Sequence, residues 1–245
     1  MRNFKLSLFT FLTLFAATYA SGQLKIESFL LSGQSQIKSE GYMNIAVCPD
    51  YEINNWTFGA GAEFALLNPQ NTMLNAWCLG AEKKLMLKNQ ELIISGDLFC
   101  SPFSEYIHEL NLVFEIKTEF PHLKLMLGNN SRIYRLTAEA LERWPGVDSA
   151  GANIKKEWRN FLYNFSYRFK ADESKWNLGF GISNTSGFFF NQETTPMLFS
   201  RYENKLNESI QLFAECWLQQ AGFANLQAQY FGFFVKGGLV WKSGK

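Results

Sequence analysis

Over residues 56–66 apolar and polar side chains alternate with a period of two. Trp56, Phe58, Ala60, Ala62, Phe64 and Leu66 share one face, and Thr57, Gly59, Gly61 and Glu63 the other. The pattern returns over 161–169, where Phe161, Tyr163, Phe165, Tyr167 and Phe169 oppose Leu162, Asn164, Ser166 and Arg168. It returns again over 176–183, where Trp176, Leu178, Phe180 and Ile182 oppose Asn177, Gly179, Gly181 and Ser183. Successive strand residues point to opposite faces, whereas a helix would mix these two sets, so each stretch predicts a strand with one apolar face.

Weaker alternation marks further segments at 24–33, 42–52, 72–87, 91–101, 105–117, 122–130, 150–158, 196–205, 207–219, 222–230 and 232–242. Tight turns join some of them, at Ile53-Asn54-Asn55 and Lys88-Asn89-Gln90. Taking every segment gives about fourteen strands. We expect about twelve, within ten to fourteen, because 223–242 lacks a clear turn and 185–205 is irregular.

The first residues follow a different logic. Arg2 and Lys5 precede an apolar run from Leu6 to Ala17, too short to span ~30 Å of hydrocarbon, and small residues follow at Thr18, Ala20, Ser21 and Gly22. This predicts a cleaved secretory signal over 1–22, cut before Ser21 or Gln23, and a single domain over 23–245. No Cys follows the apolar run to take a lipid anchor.

Composition narrows the class. A net charge of +1 and a mean hydropathy of -0.13 do not fit a bundle of membrane helices, but suit strands whose apolar residues face lipid and whose polar residues face a lumen. A soluble sandwich or lipocalin-like barrel also alternates. Two features favour the membrane: the polar faces hold Gly59, Gly61, Gly179 and Gly181, as a crowded lumen requires, and aromatics gather at strand ends like interfacial girdles. The fold expected is all-β, a transmembrane antiparallel barrel in the cell outer membrane, with its tight turns periplasmic.

In this architecture the chain resembles the small outer-membrane β-barrel proteins of Gram-negative bacteria, and its Phe-, Asn- and Lys-rich composition is similar to that of Bacteroidetes proteins. Such barrels commonly end on an aromatic residue in the last strand. Here Leu239 and Trp241 supply the alternating pair, but Lys242-Ser-Gly-Lys245 follows.

Strand parity maps a lumen. Glu63, Asp97 and Glu109 project inward from one side, and Lys155, Arg168 and Lys170 from segments roughly opposite. Two consequences compete: a transverse field across a constriction that orients a polar or zwitterionic solute, or pairing of acids with bases that simply fills the interior. A loop from Arg132 to Gly146 contains a helix-like run capped at Thr137 and stopped by Pro145-Gly146. Its Arg132, Arg135 and Arg143 suit lipopolysaccharide phosphates or a partner protein.

The resemblance also raises enzymes, since small outer-membrane barrels include phospholipases, deacylases and omptin proteases. Acyl hydrolysis needs a nucleophile beside a base. Neither histidine supplies it: His108 has no Ser two residues on, and His122 follows Pro121 in a turn. The paired Asp and Asp-x-His of omptins are also missing. Parity turns Cys48 and Cys78 inward and Cys100 and Cys216 outward on separated strands, which predicts four free thiols. Without Cys-x-x-Cys or a His beside a Cys there is no metal motif, and no cofactor or catalytic residue is implied. Near-neutral charge gives nucleic acid no footprint. Phe188-Phe189-Phe190 lies between strands and suits a membrane interface, the barrel interior or a partner.

The function expected is therefore a structural barrel or a narrow passage for small polar solutes in contact with outer-membrane lipid. A subunit of a larger outer-membrane complex is the first alternative, and a lipid-acting hydrolase the second.

Overall fold

The computed structural model describes residues 22–35, 41–67, 73–88, 90–104, 107–145, 157–170, 175–186, 189–190, 196–221 and 230–243. The strands are β1 (Gln23–Ser35), β2 (Tyr42–Ile53), β3 (Trp56–Ala65), β4 (Leu74–Leu87), β5 (Gln90–Ser104), β6 (Ile107–Glu119) and β7 (Leu123–Leu136). A short helix α1 (Ala138–Arg143) precedes β8 (Glu157–Lys170) and β9 (Trp176–Ser183). Two-residue strands β10 (Thr185–Ser186) and β11 (Phe189–Phe190) then pair with each other, and β12 (Met197–Lys205), β13 (Ile210–Ala221) and β14 (Tyr230–Lys242) complete the chain. All but β10 and β11 form a closed antiparallel barrel of twelve strands, in which β1 pairs with β14 and β9 with β12.

Closure leaves no free edge, and the alternation decides the faces. The apolar faces lie outside: Phe58, Leu79, Ile94, Phe114, Ile116, Phe161, Phe169, Leu198 and Val235 are all exposed. Such a continuous apolar coat is costly in water and is what a bilayer covers. Trp56 and Phe58 stack on the outer face beside the Asn54-Asn55 turn, with the Lys83 ammonium 4.7 Å from the Trp56 ring. Both turn asparagines have positive φ, 49° and 64°, as a tight hairpin between twisted strands requires. This end also carries the start of β1 and the end of β14, and its tight turns make it the periplasmic end.

Two expectations change. Residues 122–130 do not stop at Asn130, because β7 runs on to Leu136. Of the segment expected at 150–158 the described part, 157–158, opens β8, and the rest lies outside the described residues. Residues 222–229 of the segment expected at 222–230 also lie outside them, and the segment expected at 232–242 falls within β14. The signal segment 1–21 and Lys155 fall outside the described residues too. The expected helix is present, capped by Thr137 Oγ1, which accepts the Ala140 amide at 3.2 Å.

Candidate functional site

The outer half of the lumen is filled. On one side Phe29, Leu31, Ala46, Met197, Phe213, Trp217, Phe234 and Val240 form an apolar cluster that runs from Met197 and Phe234 in this half down to Phe213 and Val240 nearer the periplasmic end. Within it the rings of Phe199, Trp217 and Phe234 stack across β12, β13 and β14 with centroids 4.4 and 5.5 Å apart. On the other side Val113, Met126 and Leu162 pack together against Phe99. Above them an amide ladder runs from Glu109 through Asn111 (2.5 Å) and Asn130 (3.3 Å) to Asn160 (3.1 Å).

The segment after β9 turns inward and helps close this half. Asn184 accepts the Tyr163 amide at 2.9 Å and donates to the Phe161 carbonyl at 2.8 Å, which satisfies β8 where β9 has ended. Ser183 Oγ donates to the Thr185 carbonyl at 2.7 Å, and Ser183, Asn184 and Thr185 are all buried.

Beneath this plug lies a cavity of about 730 Å³, bounded on the plug side by Phe99, Met126, Thr185, Phe199 and Trp217. Its wall toward the periplasm is charged. Lys25 pairs with Asp50 (3.0 Å) and Lys117 with both Glu82 (3.1 Å) and Glu115 (3.0 Å), while Lys84 pairs with Glu52 (2.5 Å) outside the cavity lining. Glu119 receives Lys124 (3.0 Å) and Arg168 (2.7 Å). Arg201 binds Glu203 (2.6 Å) and Glu215, and Lys236 bridges Glu27 (3.4 Å) and Glu215 (3.9 Å). Several pairs skip a strand, as Lys84 with Glu52 and Arg168 with Glu119 do, so they brace the wall as well as cancel charge.

Aromatic faces supply the cations with further contacts. The Lys236 ammonium lies 4.0 Å from the Phe29 ring, and the Arg201 guanidinium 4.7 Å from that of Phe213. These layers leave the middle of the cavity open while the charges stay on its wall.

The structure divides the residues expected to line the lumen. Asp97 and Arg168 both border the cavity. Glu63 and Glu109 are buried in the filled outer half instead. Asn44 (2.8 Å) and Asn75 (2.5 Å) donate to Glu63, and Arg132 Nε lies 3.7 Å from Glu109. Lys170 ends β8 opposite Asn177.

The loop arginines separate as well. Arg132 is a residue of β7, turned inward and buried, so it is not placed to meet lipid phosphates. Arg135 lies on the same strand in register with His108. Arg143 closes α1 with its guanidinium 5.3 Å from the Trp144 ring. His122 sits at the periplasmic turn, stacked on Tyr167. Cys48, Cys78, Cys100 and Cys216 are free thiols.

Sequence reasoning missed Arg201, Glu215 and Lys236, which carry much of the cavity's charge. The signal was present: Arg201 and Glu203 share parity, as do Phe213, Glu215 and Trp217.

No protein-family model and no curated protein sequence matches the chain. Solved structures do match. The KdgM porin aligns with a TM-score of 0.54 at 7% identity, over 90% of this chain and 99% of its own. The NanC porin aligns with a TM-score of 0.51 at 9% identity, over 87% and 98%. The outer membrane phospholipase A from Escherichia coli is less similar, with a TM-score of 0.44 at 9% identity over 88% and 89%. At such identities the likeness is one of fold. The chain is a β-barrel of the cell outer membrane. Its apolar coat therefore lies against lipid.

Proposed function

We propose that this barrel is a narrow passage for small polar solutes, with the charged cavity as its solute-holding part and the packed outer half as its closed side. The observation that carries this reading is the cavity itself, about 730 Å³ of space walled by ion pairs. A lumen serving only as support would gain by packing that space, because interiors pack densely and buried charges cost more than apolar contacts. The volume lies within the ~300–1,000 Å³ typical of small-molecule sites. Two barrels of similar fold are called porins, which agrees with the reading without fixing a solute.

The test is swelling of liposomes that contain the refolded barrel in isotonic solutions of graded solutes. Swelling with glycine but not with a trisaccharide supports a narrow passage. No swelling with any solute, from protein shown to be folded, refutes it.

The packing of the outer half favours a second reading, a closed structural barrel or a non-catalytic subunit of a larger outer-membrane assembly. A stoichiometric partner retained through mild-detergent purification, with no solute flux, would establish it. Of the loop arginines, Arg143 at the end of α1 is the one we assign to lipopolysaccharide phosphates. We also read 1–22 as a cleaved leader, in keeping with β1 starting at Gln23.

A further inference from the structure

The cavity wall is not electrically even. Toward the periplasmic end Lys25, Lys117, Lys124 and Arg168 come from near the ends of their strands, and each meets an acid. Lys242, the last residue of β14, is exposed. Asp97 is placed differently. It stands midway along β5, two residues from Phe99, which bounds the cavity on the plug side. Among the described residues no cation lies within ion-pair distance of its carboxylate.

The register shows why. Asp97 stands opposite Gly80 on β4 and Val113 on β6, so neither register partner carries a charge. A Cβ on Gly80 would collide with Asp97 Oδ1, so the carboxylate lies in the space that a side chain on β4 would fill. Lys117, which borders the cavity from β6, is already shared between Glu82 and Glu115. Across the lumen Arg201 and Lys236 are matched by Glu27, Glu203 and Glu215. Among the described residues, acids therefore outweigh bases in the part of the cavity beneath the plug.

We propose that the passage prefers small cations to anions of like size, and that Asp97 is the residue that sets this preference. A charge without a counter-charge inside a lumen acts through a field that low-dielectric walls focus. The cations nearer the periplasmic end are paired or open to solvent, where salt screens them within ~10 Å. A solute moving beneath the plug therefore meets the Asp97 carboxylate as the uncompensated charge. The inference rests on the reading of the barrel as a passage and adds the sign of charge that it favours.

The test is the reversal potential of the full barrel in a planar bilayer under a gradient of KCl, whose two ions move almost equally in water. Potassium is expected to permeate about threefold or more better than chloride. Asp97→Asn keeps the shape and removes the charge, and is expected to lower that ratio about threefold. Glu208→Gln removes a charge from the exposed turn between β12 and β13 and is expected to leave the ratio unchanged. Equal permeation or a chloride preference in the original chain, or an unchanged ratio in a conducting Asp97→Asn barrel, overturns the assignment and leaves the passage standing. A folded, inserted barrel without conductance removes the passage and the assignment with it.

Discussion

Arg201 and Glu215 face each other across the β12–β13 ladder and form an ion pair inside the lumen. Glu215 is buried, and Trp217 Nε1 also donates to it at 2.8 Å. The pair thus joins the charged cavity wall to the aromatic stack above it. Arg168 makes its ion pair at the periplasmic mouth, where Glu119 is more exposed.

The two arginines should therefore differ in their effect on stability. Arg201→Ala leaves Glu215 a buried, under-compensated charge and is expected to cost about 2–3 kcal/mol. Arg168→Ala breaks a pair open to solvent and is expected to cost less than about 1 kcal/mol. Urea unfolding in lipid vesicles, followed by tryptophan fluorescence, measures both. Equal losses would mean that Glu215 is not dependent on Arg201.

Two glycines of β9 should also differ. A Cβ on Gly181 would lie 2.6 Å from the Phe199 ring and 2.5 Å from the Phe165 carbonyl, whereas the nearest atom to one on Gly179 is 3.6 Å away. Gly181→Ala is expected to destabilise the barrel by about 1–3 kcal/mol through overpacking, and Gly179→Ala to leave it nearly unchanged. The folded fraction, read from the gel mobility of unheated samples, distinguishes them.

The lipid-facing assignment can be tested at Phe114, which points outward from β6 and is 64% exposed. On a water-exposed surface Phe114→Arg would be almost neutral. On a bilayer face near the midplane it is expected to cost about 2–4 kcal/mol. Unfolding from vesicles measures the difference.

Asn184 holds the inward-turned segment against β8 by two hydrogen bonds. Asn184→Ala removes both and is expected to loosen the plug, so that liposomes carrying the variant swell faster than those carrying the original chain. An unchanged rate would mean that this segment does not limit flux.

How far the sequence revealed the barrel follows from where its physics is local. Each strand borders lipid on one face, so the period of two was visible strand by strand, and the closed barrel of about twelve strands followed. The end of β7 was hidden because Asn129-Asn130-Ser131 has the composition of a turn, yet Asn130 is a buried link in the amide ladder. The cavity was hidden for another reason. Parity shows that Glu63, Asp97 and Glu109 face inward, but their height in the lumen depends on register and strand tilt, which no single segment encodes. The Arg201–Glu215 pair likewise depends on which residues of β12 and β13 stand opposite.

The most direct test of the central claim is single-channel recording from the purified barrel in a planar bilayer, with Arg201→Gln beside it. The account predicts small discrete conductance steps that change in size or ion preference in the variant. A folded, inserted barrel that shows no steps in either form would contradict it and leave a closed structural barrel.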